Sequence, residues 1–149
     1  MTVFDASIKP DFMRLTHNNE QAWKFVELFA DRAHHLDDII DGEAVLTDEE
    51  MIQRELAWML ALGQNQFYKA HSGFLMPLII MGCNAWLDAN AWEDSDDPVK
   101  QTHADVIKSL YHEVVFAAVY ICGGWNALRE FTKKHREYQT DNYDGPIRT

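Results

Sequence analysis

The sequence predicts an all-α protein, a single domain built as a bundle of four or five long helices. Three observations predict it. Glycine and proline are sparse, seven and four among 149 residues, which disfavours a turn-rich β-sandwich. Apolar residues recur at intervals of three and four between Ala22 and Ile40, the period of a helix face. Helix-start signals, Thr47 with Glu50 and Asp97 with Pro98, stand ahead of further apolar stretches.

The elements follow in order. The first helix is expected to start at Asn18, with Gln21 as capping-box partner, and to run to about Asp41. Gly42 suits the left-handed residue that ends it. A second helix runs from Thr47 to about Lys69, and His71, Ser72 and Gly73 make a break. A third covers about 74–90, and the acidic loop Glu93–Asp97 follows. Asp97 as cap and Pro98 in the first turn open a fourth stretch. It covers about 98–138 and is interrupted at Gly123–Gly124. The ends, about 1–15 and 140–149, are expected to be poorly regular. No linker or repeat divides residues 1–149.

The third and fourth stretches carry uncharged runs, Ser72–Leu87 and Val114–Leu128. Each is shorter than the roughly 18–20 apolar residues that a span needs. They read as two central core helices, with no membrane contact expected. Met51, Met59, Phe67, Met76, Met81, Trp86 and Trp125 sit at core spacing. The first helix is apolar on two sides, with Phe25, Leu28 and Ile39 on the second, so a homo-oligomer is expected.

The formal charge of −11 repels phosphate backbones and argues against nucleic-acid binding. Cys83 and Cys122 lie far apart in apolar runs and read as buried thiols of a reducing, cytoplasmic compartment. The N-terminal residues lack the basic and apolar regions of a signal peptide. Arg129, Lys133, Lys134 and Arg136 form a basic cluster. It is placed to complement a helix C-terminus or to grip an anion.

One segment carries chemistry. In the first helix Ala22, Val26, Phe29, Ala33, Leu36 and Ile40 form an apolar seam. With Val26 at zero and about 100° per residue, Asp37 falls at about 20°, inside that seam. Asp41 and His34 fall at its edge, and Asp38 further out. A buried carboxylate pairs, protonates or binds a cation. Carboxylates four apart on a helix stand one above the other and can share Mg²⁺ or Mn²⁺. Asp37 and Asp41 are therefore the expected metal ligands, with Asp38 and His34 in support. Asn84 and Asp88, one turn apart, are a second polar group that such a site would recruit. The competing readings pair Asp37 with a basic residue from another helix, or shift the helix phase and leave Asp37 on an exposed acidic face.

The run from Ala33 through Asp37-Asp38-Ile39-Ile40-Asp41 to Gly42 resembles the first aspartate-rich motif of class I isoprenyl diphosphate synthases. In that family a DDxxD motif late on a helix binds Mg²⁺ that grips a diphosphate. The resemblance covers about ten residues and implies those roles for Asp37 and Asp41. The chain also resembles the all-α nucleotide pyrophosphatases in size and acidic character, with Asp38-Ile-Ile-Asp41 matching half of their acidic motif. Together these imply a Mg²⁺-dependent helical protein that binds a small diphosphate-containing ligand, and hydrolyses or transfers it. The alternative is a non-enzymatic helical oligomer, regulatory or scaffolding, in which His34–Asp41 is a polar register device.

Overall fold

The computed structural model describes residues 6–141, and the chain is all-α, with no strand among the described residues. Six helices follow one another: α1 (Lys9–Leu15), α2 (Glu20–Ile40), α3 (Asp48–Gln64), α4 (Gln66–Glu93), α5 (Pro98–Lys108) and α6 (Glu113–Asp141). Short 3₁₀ turns, Ala6–Ile8 and Ser109–His112, lead into α1 and α6. The chain forms two compact units, Met1–Ser72 and Gly73–Thr149.

In the first unit, α1 forms where irregular chain was expected. Pro10 in its first turn and a buried Phe12 explain why: proline presets the helical φ, and the Phe12 ring meets Trp23 of α2 edge-on at 5.2 Å. Helix α2 starts one residue later than expected. Asn18 itself takes a left-handed conformation (φ 57°), which asparagine tolerates. Asn19 then caps the helix, its side-chain oxygen accepting from the Ala22 N–H at 2.9 Å. The C-terminus is as expected. Gly42 is left-handed (φ 72°), Gly42 N–H donates to Ile39 O at 3.2 Å and Glu43 N–H to Asp38 O at 2.9 Å, the paired bonds of a Schellman stop.

Helix α3 opens on the full capping box between Thr47 and Glu50, but it ends at Gln64, earlier than expected. The break is Asn65, and His71–Gly73 lie inside α4. Asn65 Nδ2 donates to Gln21 O at 2.9 Å while Asn65 Oδ1 accepts from Tyr68 N–H at 2.8 Å. Gln21, read as a capping-box partner, instead accepts from the Gln66 N–H at 3.0 Å. A buried asparagine that satisfies two backbone groups at once outweighs the local preference for a glycine break. Phe25 packs against Phe67 and Tyr68 at 5.7 and 5.9 Å, which closes this core.

The second unit is built around α6, whose residues Val114 to Val119 are all buried. A run buried on every side marks a central helix. A Cβ at Gly82 would lie 3.3 Å from Tyr111 Cα, so glycine is what lets α4 approach the turn before α6. Asp97 caps α5 as expected, accepting from Val99 N–H at 2.9 Å. Lys108 returns to Glu93 at 2.5 Å. The expected interruption of the last helix falls at Gly124, which is left-handed and non-helical (φ 79°, ψ −168°). Thr140 and Asp141 are helical; 142–149 lie outside the described residues, as do 1–5.

Helix α4 is not the central core helix that its composition suggested. Only 11% of its most apolar window is buried. By length and composition alone, α4 and the stretch Pro98–Asp141 are long and apolar enough to cross a membrane. Of the residues expected in the core, Phe67 is buried and Met76 and Trp86 are half-buried, whereas Met51, Met59, Met81 and Trp125 are exposed. Cys83 is exposed and Cys122 half-buried, against the expectation of two buried thiols.

Two glycines give opposite outcomes for one substitution. Gly73 lies inside α4 with open space where a Cβ would stand and no positive φ, so Gly73→Ala raises stability by about 0.5–1 kcal/mol. Gly124→Ala meets no neighbour either, but its left-handed backbone makes it lose about 1–2 kcal/mol. Urea unfolding of both variants at unchanged m-value checks the pair of signs.

Candidate functional site

The contact between α2 and α3 is polar. Arg32 of α2 forms an ion pair with Glu55 of α3, and its guanidinium lies over the Trp58 ring at 5.5 Å. Arg54 Nη1 stands 3.0 Å from His35 Nδ1. Arginine has only donors, so it donates and Nδ1 accepts; the His35 proton then sits on Nε2. His35 is buried, and burial first, then the charges of Arg54 and Arg32, hold its pKa below the ordinary imidazole value.

That contact decides how α3 is turned. With Met51 at zero, Glu55, Trp58 and Leu62 fall within about 40° of it, and Arg54 just beyond. This is the face turned to α2, with Leu62 buried and Glu55 and Trp58 half-buried. The adjoining flank carries Ile52, Leu56, Met59 and Gly63, at about 80–140°, with Leu60 beyond it at about 180°. Ile52, Leu56, Met59 and Leu60 are 59, 60, 61 and 62% exposed.

Asp37 points inward, as its helix phase predicts, and is 6% exposed. Its companions do not join it. Asp41 caps the helix and is exposed, its N–H donating to Asp37 O at 2.9 Å. His34 is exposed and Asp38 half-buried, His34 Nε2 lying 3.7 Å from Asp38 Oδ2 across one turn. Among the described residues no three His, Cys, Asp or Glu side chains group as a metal ion requires. Of the four side chains expected to hold Mg²⁺, which takes near-octahedral oxygen ligation, only Asp37 is buried. The reason lies in the seam. Ala22 and Val26 are buried and Phe29, Ala33 and Leu36 half-buried, but Ile40 is exposed. The last turn of α2 is thus open on the side where Asp41 stands.

Asn84 and Asp88 are both exposed on α4 and contact only at 3.5 Å. Asn126, which interrupts an apolar run, is exposed as well. The basic cluster lies in the body of α6 rather than in its last turn, because that helix runs on to Asp141. Arg136 of this cluster reaches Glu113 at 2.8 Å and covers the Phe116 ring at 5.1 Å.

The second unit buries a histidine that sequence reasoning missed. His135 stacks on Phe131 with an interplanar angle of 6°, and its ring lies 5.3 Å from His112 and 5.4 Å from Phe116. Gln139 Nε2 lies 2.6 Å from His112 Nδ1; an amide NH₂ only donates, so Nδ1 is the unprotonated nitrogen. The signal was present in the spacing of Ala127, Phe131 and His135, an apolar stripe at four-residue intervals. Histidine among lysines and arginines masked it.

Compared with protein-family models, curated proteins and solved structures, the chain matches none.

The buried imidazole makes stability depend on pH. Burial, with the charge of Arg136 second, lowers the His135 pKa to about 4, whereas an unfolded histidine titrates near 6.5. The unfolded state therefore binds the proton more readily. The stability is fully present above about pH 6.5 and is lost as pH falls, by about 3 kcal/mol once below the folded pKa. The lowered pKa of His35 acts in the same direction. His135→Phe keeps the stacked ring and flattens the decline. A variant whose urea midpoint falls as steeply as the parent's between about pH 7 and 4 contradicts the assignment.

Proposed function

We propose that the chain is a non-enzymatic, self-associating helical protein, a scaffold or regulatory component whose work is done through its apolar helix faces. The observation that carries this reading is the orientation of α3. The helix turns Arg54 and Glu55 toward α2 and leaves Ile52, Leu56, Met59 and Leu60 more than half open. A soluble monomer rarely leaves such a contiguous apolar stripe uncovered, and stripes of this kind mark association sites. Helix α4 supports the reading separately, with Phe74, Ile80, Met81 and Leu87 all exposed. On this reading the His34–Asp41 segment serves the fold. It stops α2 and, through its His35, takes part in orienting α3.

The competing reading is Mg²⁺ binding by Asp37 and Asp41 with a diphosphate-containing ligand, and the burial of Asp37 is what favours it. It requires Asp41 to leave its exposed cap position and turn toward Asp37. Thermal unfolding separates the two. Self-association makes Tm fall on dilution and leaves it indifferent to EDTA, Mg²⁺ or Mn²⁺. Sedimentation should show an oligomer that dissociates over the same dilution. A monomer at every concentration, with a Tm that Mg²⁺ raises in the parent and not in Asp37→Asn, overturns the proposal in favour of the metal.

A further inference from the structure

The self-association reading leaves open which surface meets which. We infer that the α3 stripe is covered by the α3 of a second copy, laid antiparallel, with Ile52 against the partner's Gly63 and Leu56 against the partner's Met59. This inference rests on that reading and adds to it the surface, the orientation and the register.

The spacing is the first argument. Ile52, Leu56, Met59 and Gly63 follow one another at intervals of four, three and four, the seam of two helices packed knobs-into-holes. The interval pattern reads the same from either end. A two-fold axis between Leu56 and Met59 therefore brings every position of the stripe opposite another position of the stripe. Self-complementarity of this kind is what an isologous contact requires.

Side-chain size agrees with that register. It pairs the β-branched residue of the stripe, Ile52, with its smallest, Gly63. A Cβ built on Gly63 meets nothing within 4 Å, so the glycine leaves open space beside the helix in which a partner's larger side chain can sit. The two middle layers pair Leu56 with Met59, both long and unbranched at Cβ. A parallel pairing would instead place Ile52 against Ile52 at one end and leave two glycines facing each other at the other.

Charge selects the same orientation. The first turn of α3 carries Asp48, Glu49 and Glu50, while Ala57 to Gln64 carry no charge. Parallel pairing would set the three carboxylates of one copy beside the three of the other. Antiparallel pairing separates the two acidic ends by the helix length, about 25 Å for its 17 residues, well beyond the roughly 8 Å screening length of physiological salt. Each acidic turn then lies beside the uncharged end of the other helix.

The area suffices. Residues of this size expose roughly 150–200 Å² when free, slightly below or within the aromatic range. At the exposures of Ile52, Leu56, Met59 and Leu60, from 59 to 62%, they offer together roughly 350–500 Å² of apolar surface. A standard interface buries about 800 Å² per partner, of which about 56–65% is non-polar. The stripe thus supplies the apolar share of one such interface.

Two measurements test this, both on the full chain. The first is the oligomer's dissociation constant by sedimentation. Leu56→Asp and Met59→Asp, both at positions open to solvent in the single chain, each weaken association about a hundredfold with unchanged helical circular dichroism, whereas Val106→Asp, at an equally open position of α5, does not. The second is disulfide trapping in a Cys83→Ala, Cys122→Ala background. Ile52→Cys mixed with Gly63→Cys gives a cross-linked dimer, and Ile52→Cys alone gives none. An oligomer that survives both α3 aspartates overturns the inference while leaving self-association standing. Efficient trapping of Ile52→Cys alone overturns the antiparallel register. A parent that is monomeric at all concentrations removes the self-association reading and this inference with it.

Discussion

The orientation of α3 depends on two polar contacts, Arg32 with Glu55 and Arg54 with His35, and the functional reading of the molecule depends on that orientation. Helix α3 has two candidate inner faces. One carries Trp58, Leu62 and two charged residues; the other carries Ile52, Leu56, Met59 and Leu60. Area alone would turn the second face inward. The structure turns the first.

Ion pairs at a partly exposed site contribute little stability in themselves, about 0–1 kcal/mol. Their effect here is on specificity. Rotating α3 by about 100° would turn the stripe toward α2 and leave the Nδ1 of buried His35 without the Arg54 donor it accepts from. A buried acceptor without a partner costs about 1–3 kcal/mol. Arg32 adds to the same orientation by covering the Trp58 ring, a contact worth roughly 0.5–1 kcal/mol at an exposed site. The polar face is held by directional bonds that one geometry satisfies. The apolar face is held by none, and is left to whatever covers it.

The second unit resolves the same problem differently. In α6 the run Val114–Val119 is buried on all sides, and the polar side chains buried beside it are the imidazoles of His112 and His135. His135 rests neutral among Phe116, Phe131 and His112. Arg136 and Glu113 close over that core from outside. The Gly124 break lets the helix change course after its most apolar stretch, a turn that a residue with a side chain would resist.

Helix content, the Thr47 and Asp97 starts, the Gly42 stop and the Gly124 interruption were legible in the sequence. Each is a local matter: a side-chain oxygen reaching its own backbone, or a φ that only glycine takes without strain. The inward phase of Asp37 was legible too, because periodicity along one helix is a local property. Three things were decided by tertiary structure. Asn65 became the break between α3 and α4 because Gln21, 44 residues earlier, offers it a carbonyl. Asp37 is buried while Asp41 of the same segment is exposed, because the last turn of α2 lies open on the side where Ile40 and Asp41 stand. Helices α3 and α4 keep apolar side chains outside, because a hydrophobic period records that a face is greasy and says nothing of which neighbour, in the same chain or another, will cover it.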